Sequence, residues 1–291
     1  MKAPDQHPLP TGLGAALRMQ LASDRLSQLV VASSLAVAVF WLLPVVSVEH
    51  KKLVAGWCGL PLSVFIVVAI VWRRPALAAG GEHRFWQHLT VGFGTLLIAT
   101  ALNVVPTAAG LPARVIDLGE NLALAVVYFF FVLASEIEPD RPIRPVSSRF
   151  EALITWPAAG IFVLGFLIYF TLLPPLHGSS SRSTPLETLA LFLALDTYLT
   201  LRFAMLGRFA DALRWRLVYR AWALTFGGFL LDDVLRLAAS HRPDVEPLLV
   251  LRYLLWLLTH LLAVLSARLR PQLFTPPAAA HGKTAVHGKT A

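Results

Sequence analysis

Apolar residues along this chain fall in blocks of about twenty, parted by short polar stretches rich in Arg, Pro and Gly. A bilayer core of about 30 Å takes roughly 20 apolar residues as a helix, so each block predicts one transmembrane span. Eight follow in chain order, at residues 29–48, 53–72, 85–105, 113–135, 152–173, 186–205, 215–237 and 247–267. The apolar–polar alternation of a barrel strand is absent. The expected fold class is therefore all-α, a polytopic membrane helical bundle of about eight transmembrane helices. Ahead of the first block, the polar residues 1–27 carry Pro4, Pro8, Pro10, Gly12 and Gly14. Residues 14–29 predict a short amphipathic helix there. No small-residue cleavage pattern follows the first block, which reads as a retained helix and not a signal peptide.

The turn formers punctuate these spans. Arg73-Arg74-Pro75 with Gly80-Gly81 joins spans two and three, Glu138-Pro139-Asp140-Arg141-Pro142 joins four and five, and His177-Gly178-Ser179-Ser180-Ser181 joins five and six. No loop is long enough for a folded domain. With the N-terminus inside, 18 of the 25 Lys and Arg residues fall on that side and 7 on the other. The positive-inside rule then places both termini in the cytoplasm, and the expected location is the bacterial inner membrane. The expected organisation is a cytoplasmic segment 1–28, a four-helix unit 29–137, a cytoplasmic loop 138–151, a second four-helix unit 152–268 and a disordered cytoplasmic tail 269–291. Arg84-Phe85-Trp86 opens span three as Leu213-Arg214-Trp215 opens span seven, and Asn103 and Asp232 follow the two Trp at equal spacing. Arg73 matches Arg202, and the ends of spans four and eight, 131–135 and 263–267, are alike. These pairs predict two parallel four-helix repeats, an arrangement known from transporters.

Composition agrees with the pattern. Hydrophobic residues make up 56% and charged residues 14% of the chain, where a soluble domain carries about 25% charged. The net charge of +8 is scattered between spans and explained by orientation, so no nucleic-acid partner is implied. Cys58 stands alone, which excludes an intramolecular disulfide and a CxxC site; the expectation is a small buried residue near a helix end. Gly80-Gly81-Glu82-His83 is a faint echo of a cyclase signature without the surrounding domain. Gly288-Lys289-Thr290 in the tail is the end of a phosphate-loop pattern without its first glycine, strand or helix, and His281 and His287 are too few for a metal site. There is no HExxH, no GxSxG and no Cys/His cluster, so no catalytic residues, metal or cofactor are predicted.

Ionisable groups inside spans are costly in lipid and face a bundle interior or cavity, which makes them the functional leads. Asn103, Asp117, Glu120, Asn121, Asp232, Asp233, Arg236 and Arg252 fall toward the outer side. They predict a polar ligand pocket walled by spans three, four, seven and eight, with Trp222 and Trp256 as stacking surfaces. The alternative is structural: Asp117 and Glu120 favoured by a helix N-terminus, Asp232 or Asp233 paired with Arg236, and Arg252 snorkelling or paired with Glu120. Asp196 and His260 lie near the midplane at similar depth and predict an interhelical pair, either a switch or a plain hydrogen bond. Trp57, Trp72, Trp86 and Trp215 read as interface anchors.

The run Arg84-Phe85-Trp86-Gln87-His88-Leu89, the stretch 114–142, then 160–174, 191–203, Arg214-Trp215-Arg216-Leu217-Val218-Tyr219 and the close Ala267-Arg268-Leu269-Arg270 resemble the N-terminal multi-helix membrane input region of bacterial sensor histidine kinases and diguanylate cyclases. The resemblance covers roughly 80–270 and carries no ligand motif. It implies a sensory input module lacking its output, either a truncated frame or a free-standing membrane partner. Its implied partners are the bilayer, a cytoplasmic or membrane kinase or cyclase reached through the Arg-rich stretch 208–220 and the tail, and a second copy of the chain. The rival expectation is a small secondary transporter or channel of two four-helix repeats, using Asp196 and His260. An intramembrane enzyme ranks third, since no catalytic set is visible.

Overall fold

The structure, a computed structural model, describes residues 10–72, 80–108, 113–139, 186–241 and 246–274. These residues form eight helices and no strands: α1 (Leu13–Ser23), α2 (Arg25–Leu42), α3 (Val48–Val71), α4 (Gly81–Ala108), α5 (Ala113–Glu136), α6 (Leu186–Phe209), α7 (Leu213–His241) and α8 (Glu246–Phe274). Seven expected spans meet a helix. The fifth, 152–173, lies outside the described residues, as do the loop 140–150 and residues 275–291. Six helices, all but α1 and α7, are long and apolar enough to cross a membrane, the build of a multi-pass membrane protein.

Capping residues move the first boundaries from those expected. Asp24 is extended and its carboxylate accepts from the backbone N–H of Ser27 at 3.0 Å and from its hydroxyl at 2.6 Å. This N-cap ends α1 and starts α2 at Arg25, so the expected helix 14–29 is broken in two. Leu43 is extended, as the residue before Pro44 must be, and α2 stops at Leu42 rather than at 48. Ser47 then caps α3, whose start is five residues earlier than the expected 53. Gly80 has φ of 134°, a conformation that favours glycine, and turns the chain into α4. The Gly-Gly-Glu-His run is thus a helix start, with Glu82 in the first turn.

Among the described residues, each helix from α3 to α8 packs on the next and α8 closes back on α3, giving a ring of six described helices. Aromatic side chains fill the middle. Phe93 of α4 meets Phe131 of α5 and Trp222 of α7 at ring-centroid distances of 4.7 and 5.3 Å, and Phe203 of α6 stacks on Phe226 of α7 at 5.2 Å. Phe85 of α4 packs edge-on against Trp215 and Tyr219 of α7. Trp86 and Trp215 are buried in this cluster and do not anchor an interface, unlike the exposed Trp57 and Trp72. The helices α1 and α2 lie outside the ring, both against α8.

The charges of α7 follow from its place. Arg214, Arg216 and Arg220 stand at one end and Asp232, Asp233 and Arg236 toward the other. Much of its remaining surface is inside the bundle, with Leu217, Val218, Tyr219, Ala221, Trp222 and Phe226 buried and a stripe of Leu224, Leu231, Val234 and Ala238 exposed. A helix exposed along one stripe can carry polar groups on its packed faces.

Small residues set the closest approaches. A side chain on Gly92 of α4 would come within 2.5 Å of the Phe131 ring, and one on Gly228 of α7 would collide with the Thr259 hydroxyl of α8. The same α7–α8 seam carries a hydroxyl pair, Thr225 to Ser266 at 3.1 Å. Gly228→Ala should therefore cost about 1–3 kcal/mol through overpacking. Reversible unfolding in mixed micelles measures it, and Gly228→Ala/Thr259→Ala should recover most of the loss. A neutral Gly228→Ala would mean that the seam is loose.

Candidate functional site

The far end of the ring, where α7 turns to α8, holds the charged cluster. Asp232 and Asp233 lie about 13 Å below the end of α7, Asp196 about 15 Å below the start of α6 and Arg252 about 9 Å below the start of α8, at 1.5 Å per residue. Their helices are neighbours, so similar depth becomes proximity. Arg252 Nε stands 3.6 Å from Asp232 Oδ1, a buried carboxylate. Asp233, also buried, interacts electrostatically with Arg236, Asp232 and Arg252. Glu120 and Asn121 are half-buried on α5. The side chains of Asn103 and Asp117 lie outside the described residues, so this part of the expected pocket has no structural account.

Asp196 is 2% exposed and hydrogen-bonded to Tyr128 of α5, and it senses the charges of Asp233 and Asp232. Tyr128 in turn stacks on Phe192 at 5.4 Å. The residues expected as alternative partners are engaged elsewhere: Thr197 donates to Leu193 O at 2.6 Å and Tyr198 to Glu136. His260 has its own contacts. Its Nδ1 lies 2.9 Å from Trp256 O one turn back, and its ring packs 4.4 Å from Trp256 and 5.7 Å from Phe229. A carbonyl only accepts, so the proton of the neutral ring sits on Nδ1. The expected Asp196–His260 pair is not among the described hydrogen bonds and ion pairs, because each group is satisfied nearer home.

The two proposed stacking surfaces also lie elsewhere. Trp222 is fully buried in the aromatic interior, about 15 Å along α7 from Asp232. Trp256 faces α3, in the satellite cluster of Trp41, Leu62 and Leu257. That cluster also holds Cys58, which is half-buried and mid-helix in α3, not near a helix end.

The near end, where α8 finishes, holds a second polar centre that sequence reading passed over. The last span was expected to stop at 267, with a disordered tail from 269. Instead α8 runs to Phe274, and Arg268, Leu269, Arg270 and Leu273 are buried. Arg268 grips Asp24 through Nε at 2.9 Å and Nη2 at 2.5 Å, and donates from Nη1 to Trp72 O at 3.1 Å. Gln20 extends the network to Ser27 Oγ at 2.9 Å and Leu265 O at 3.1 Å. Burial raises the Asp24 carboxyl, but hydrogen bonds from Arg268 and Ser27 outweigh it and leave the pKa below its ordinary value of 3.8. Arg270 lies 4.8 Å over the Trp86 ring, a cation–π contact inside the bundle. Of the Arg-rich stretch expected to meet a partner, Arg216 donates to Ala210 O at 2.6 Å and Arg220 to Gly207 O at 3.1 Å, so both cap the C-terminal carbonyls of α6.

Family models, curated proteins and solved structures were compared with this chain, and none matches.

Proposed function

We propose that the protein is a sensory or signalling module of the bacterial inner membrane, with eight spans in two parallel four-helix units and both termini in the cytoplasm. The observation that carries this reading is the run of α7 and α8. These helices bear Asp232, Asp233, Arg236 and Arg252 at the far end, and α8 carries Arg268 and Arg270 into the buried network at the near end. Between them the Gly228–Thr259 and Thr225–Ser266 contacts lock the pair. A stimulus that changes the pairing of Arg252 with Asp232 acts on a helix whose other end holds Asp24. Such a signal requires two conformations that bind the stimulus differently. The neighbour order also supports the two units: α3–α4–α5 and α6–α7–α8 pack in the same succession, closed by α5 on α6 and α8 on α3. The resemblance to kinase and cyclase input regions makes an enzyme of that kind the expected partner of the near end, with a homodimer as the expected assembly.

The test reads one end while disturbing the other. Gln272→Cys in a Cys58→Ser background reports the near end through its rate of thiol labelling in nanodiscs. Arg252→Met and Asp196→Asn, about 30 Å from the reporter along α8 in the case of Arg252, should each change that rate at least threefold. Equal rates in all three proteins would sink the relay. The rival is a secondary transporter, favoured by the grouping of three buried carboxylates, Asp196, Asp232 and Asp233. Proton flux into proteoliposomes that Asp196→Asn abolishes would decide for it.

A further inference from the structure

Where α2, α3 and α8 meet at the far end, α2 leans on α8 far more than on α3, and a groove of about 430 Å³ is left between them. That volume falls in the range of small-molecule sites, roughly 300–1,000 Å³. Val250, Leu251 and Leu254 make its wall apolar, and Lys51 and Glu246 stand in its lining. Lys51 is the unusual member: a lysine 3% exposed, in the first turn of α3, its Nζ 2.8 Å from Glu246 Oε1. An ammonium carries three donors, and one carboxylate oxygen answers one of them.

A buried ammonium with donors to spare at the level of the helix ends, above an apolar wall that runs inward, asks for an occupant with oxygens at one end and a hydrocarbon chain at the other. We propose that this groove binds one glycerophospholipid from the bilayer, a phosphodiester oxygen accepting from Lys51 and an acyl chain along Val250, Leu251 and Leu254. The depth fits: Lys51 and Glu246 lie in the first turns of α3 and α8, where headgroups meet the hydrocarbon core. Annular lipid has no such donors to meet, so the bound molecule should exchange slowly and survive detergent. The groove shares α8 with the proposed relay, but the lipid reading rests on Lys51 and the apolar wall and not on that relay.

Native mass spectrometry of the full-length protein, delipidated in detergent and then supplied with palmitoyl-oleoyl phosphatidylglycerol, tests this. One phospholipid adduct should survive activation of the wild type. Lys51→Met, which removes the ammonium, and Leu254→Trp, which fills the groove while keeping Lys51 and Glu246, should each lower the adduct at least fivefold. Leu224→Trp, on the exposed stripe of α7, should leave it unchanged. Circular dichroism and thermal melts select variants that fold, and Leu254→Trp carries the test if Lys51→Met does not. No retained adduct, an adduct equally abundant in the folded groove variants, retention of an isoprenoid quinone in place of phospholipid, or displacement of the lipid by inorganic phosphate would each overturn the proposal.

Discussion

Arg268→Met should destabilise the protein by about 2–4 kcal/mol, the cost of leaving a largely covered carboxylate without its charge-assisted hydrogen bonds. Asp24 is clamped by two guanidinium nitrogens of Arg268 and seated between α1 and α2, its side chain 11% exposed, so the variant strands it where water reaches only one edge. The same substitution removes the donor to Trp72 O at the end of α3. Four helices, α1, α2, α3 and α8, therefore loosen together. Asp24→Asn/Arg268→Met should regain most of the loss, because the stranded charge is gone while the Ser27 cap survives on the amide oxygen. Unfolding by SDS in mixed micelles gives the free energies, and the coupling between the two sites follows from the cycle. The acid dependence has a definite sign. Asp24 is depressed in the folded protein, so its contribution is fully present above the ordinary value of 3.8 and is lost as pH falls through the lower folded value. Wild type should hold this contact from neutral pH to about pH 4, and a cost under 1 kcal/mol for Arg268→Met would show that the clamp is ornamental.

That clamp also marks where sequence reading stopped. The apolar blocks were legible because a bilayer imposes one length on every span, and seven of eight blocks meet a helix at nearly the expected register. The caps at Asp24 and Ser47 are local signals of the familiar kind, visible once the polar lead is read for helix ends and not only for polarity. Arg268 closes the expected second unit and Arg270 falls in the expected tail, because a hydropathy window closes at the first charges after an apolar run. Their burial depends on Asp24, 244 residues away, and on Trp86, and no window spans that separation. Tyr128 was missed for a related reason. It stands at the head of the run Tyr128-Phe129-Phe130-Phe131, which reads as core, and only the packing of α5 on α6 brings its hydroxyl to Asp196. Of the outer polar group, Asp232 and Asp233 are buried and Arg252 reaches Asp232, while Trp222 and Trp256 pack away from them. Depth along a helix follows from counting; rotation about its axis requires the neighbours.

Trp222→Ala is the sharpest test of that last distinction. As a ligand platform, Trp222 would be dispensable for folding. In the structure it is fully buried, 5.3 Å from the Phe93 ring and 6.3 Å from the Phe226 ring, at the centre of a ring of six helices. Removing it leaves a void that Phe93, Phe131 and Phe226 fill only in part, since their own contacts run to α5 and α6. In lipid the loss is one of packing, because the exposed alternative is also apolar. The expected cost is about 3–5 kcal/mol, the usual range for an aromatic cut to Ala in a filled core. Trp222→Phe, which keeps most of the volume and drops an indole N–H that has no acceptor among the described residues, should cost less than half as much. Asp232→Asn gives the contrast: it alters the far-end charge pairing with a smaller effect on unfolding. Mixed-micelle unfolding of the three variants ranks them. If Trp222→Ala proves as stable as wild type while altering the near-end labelling rate, Trp222 serves the relay, and the aromatic interior is a moving part of the bundle and not its core.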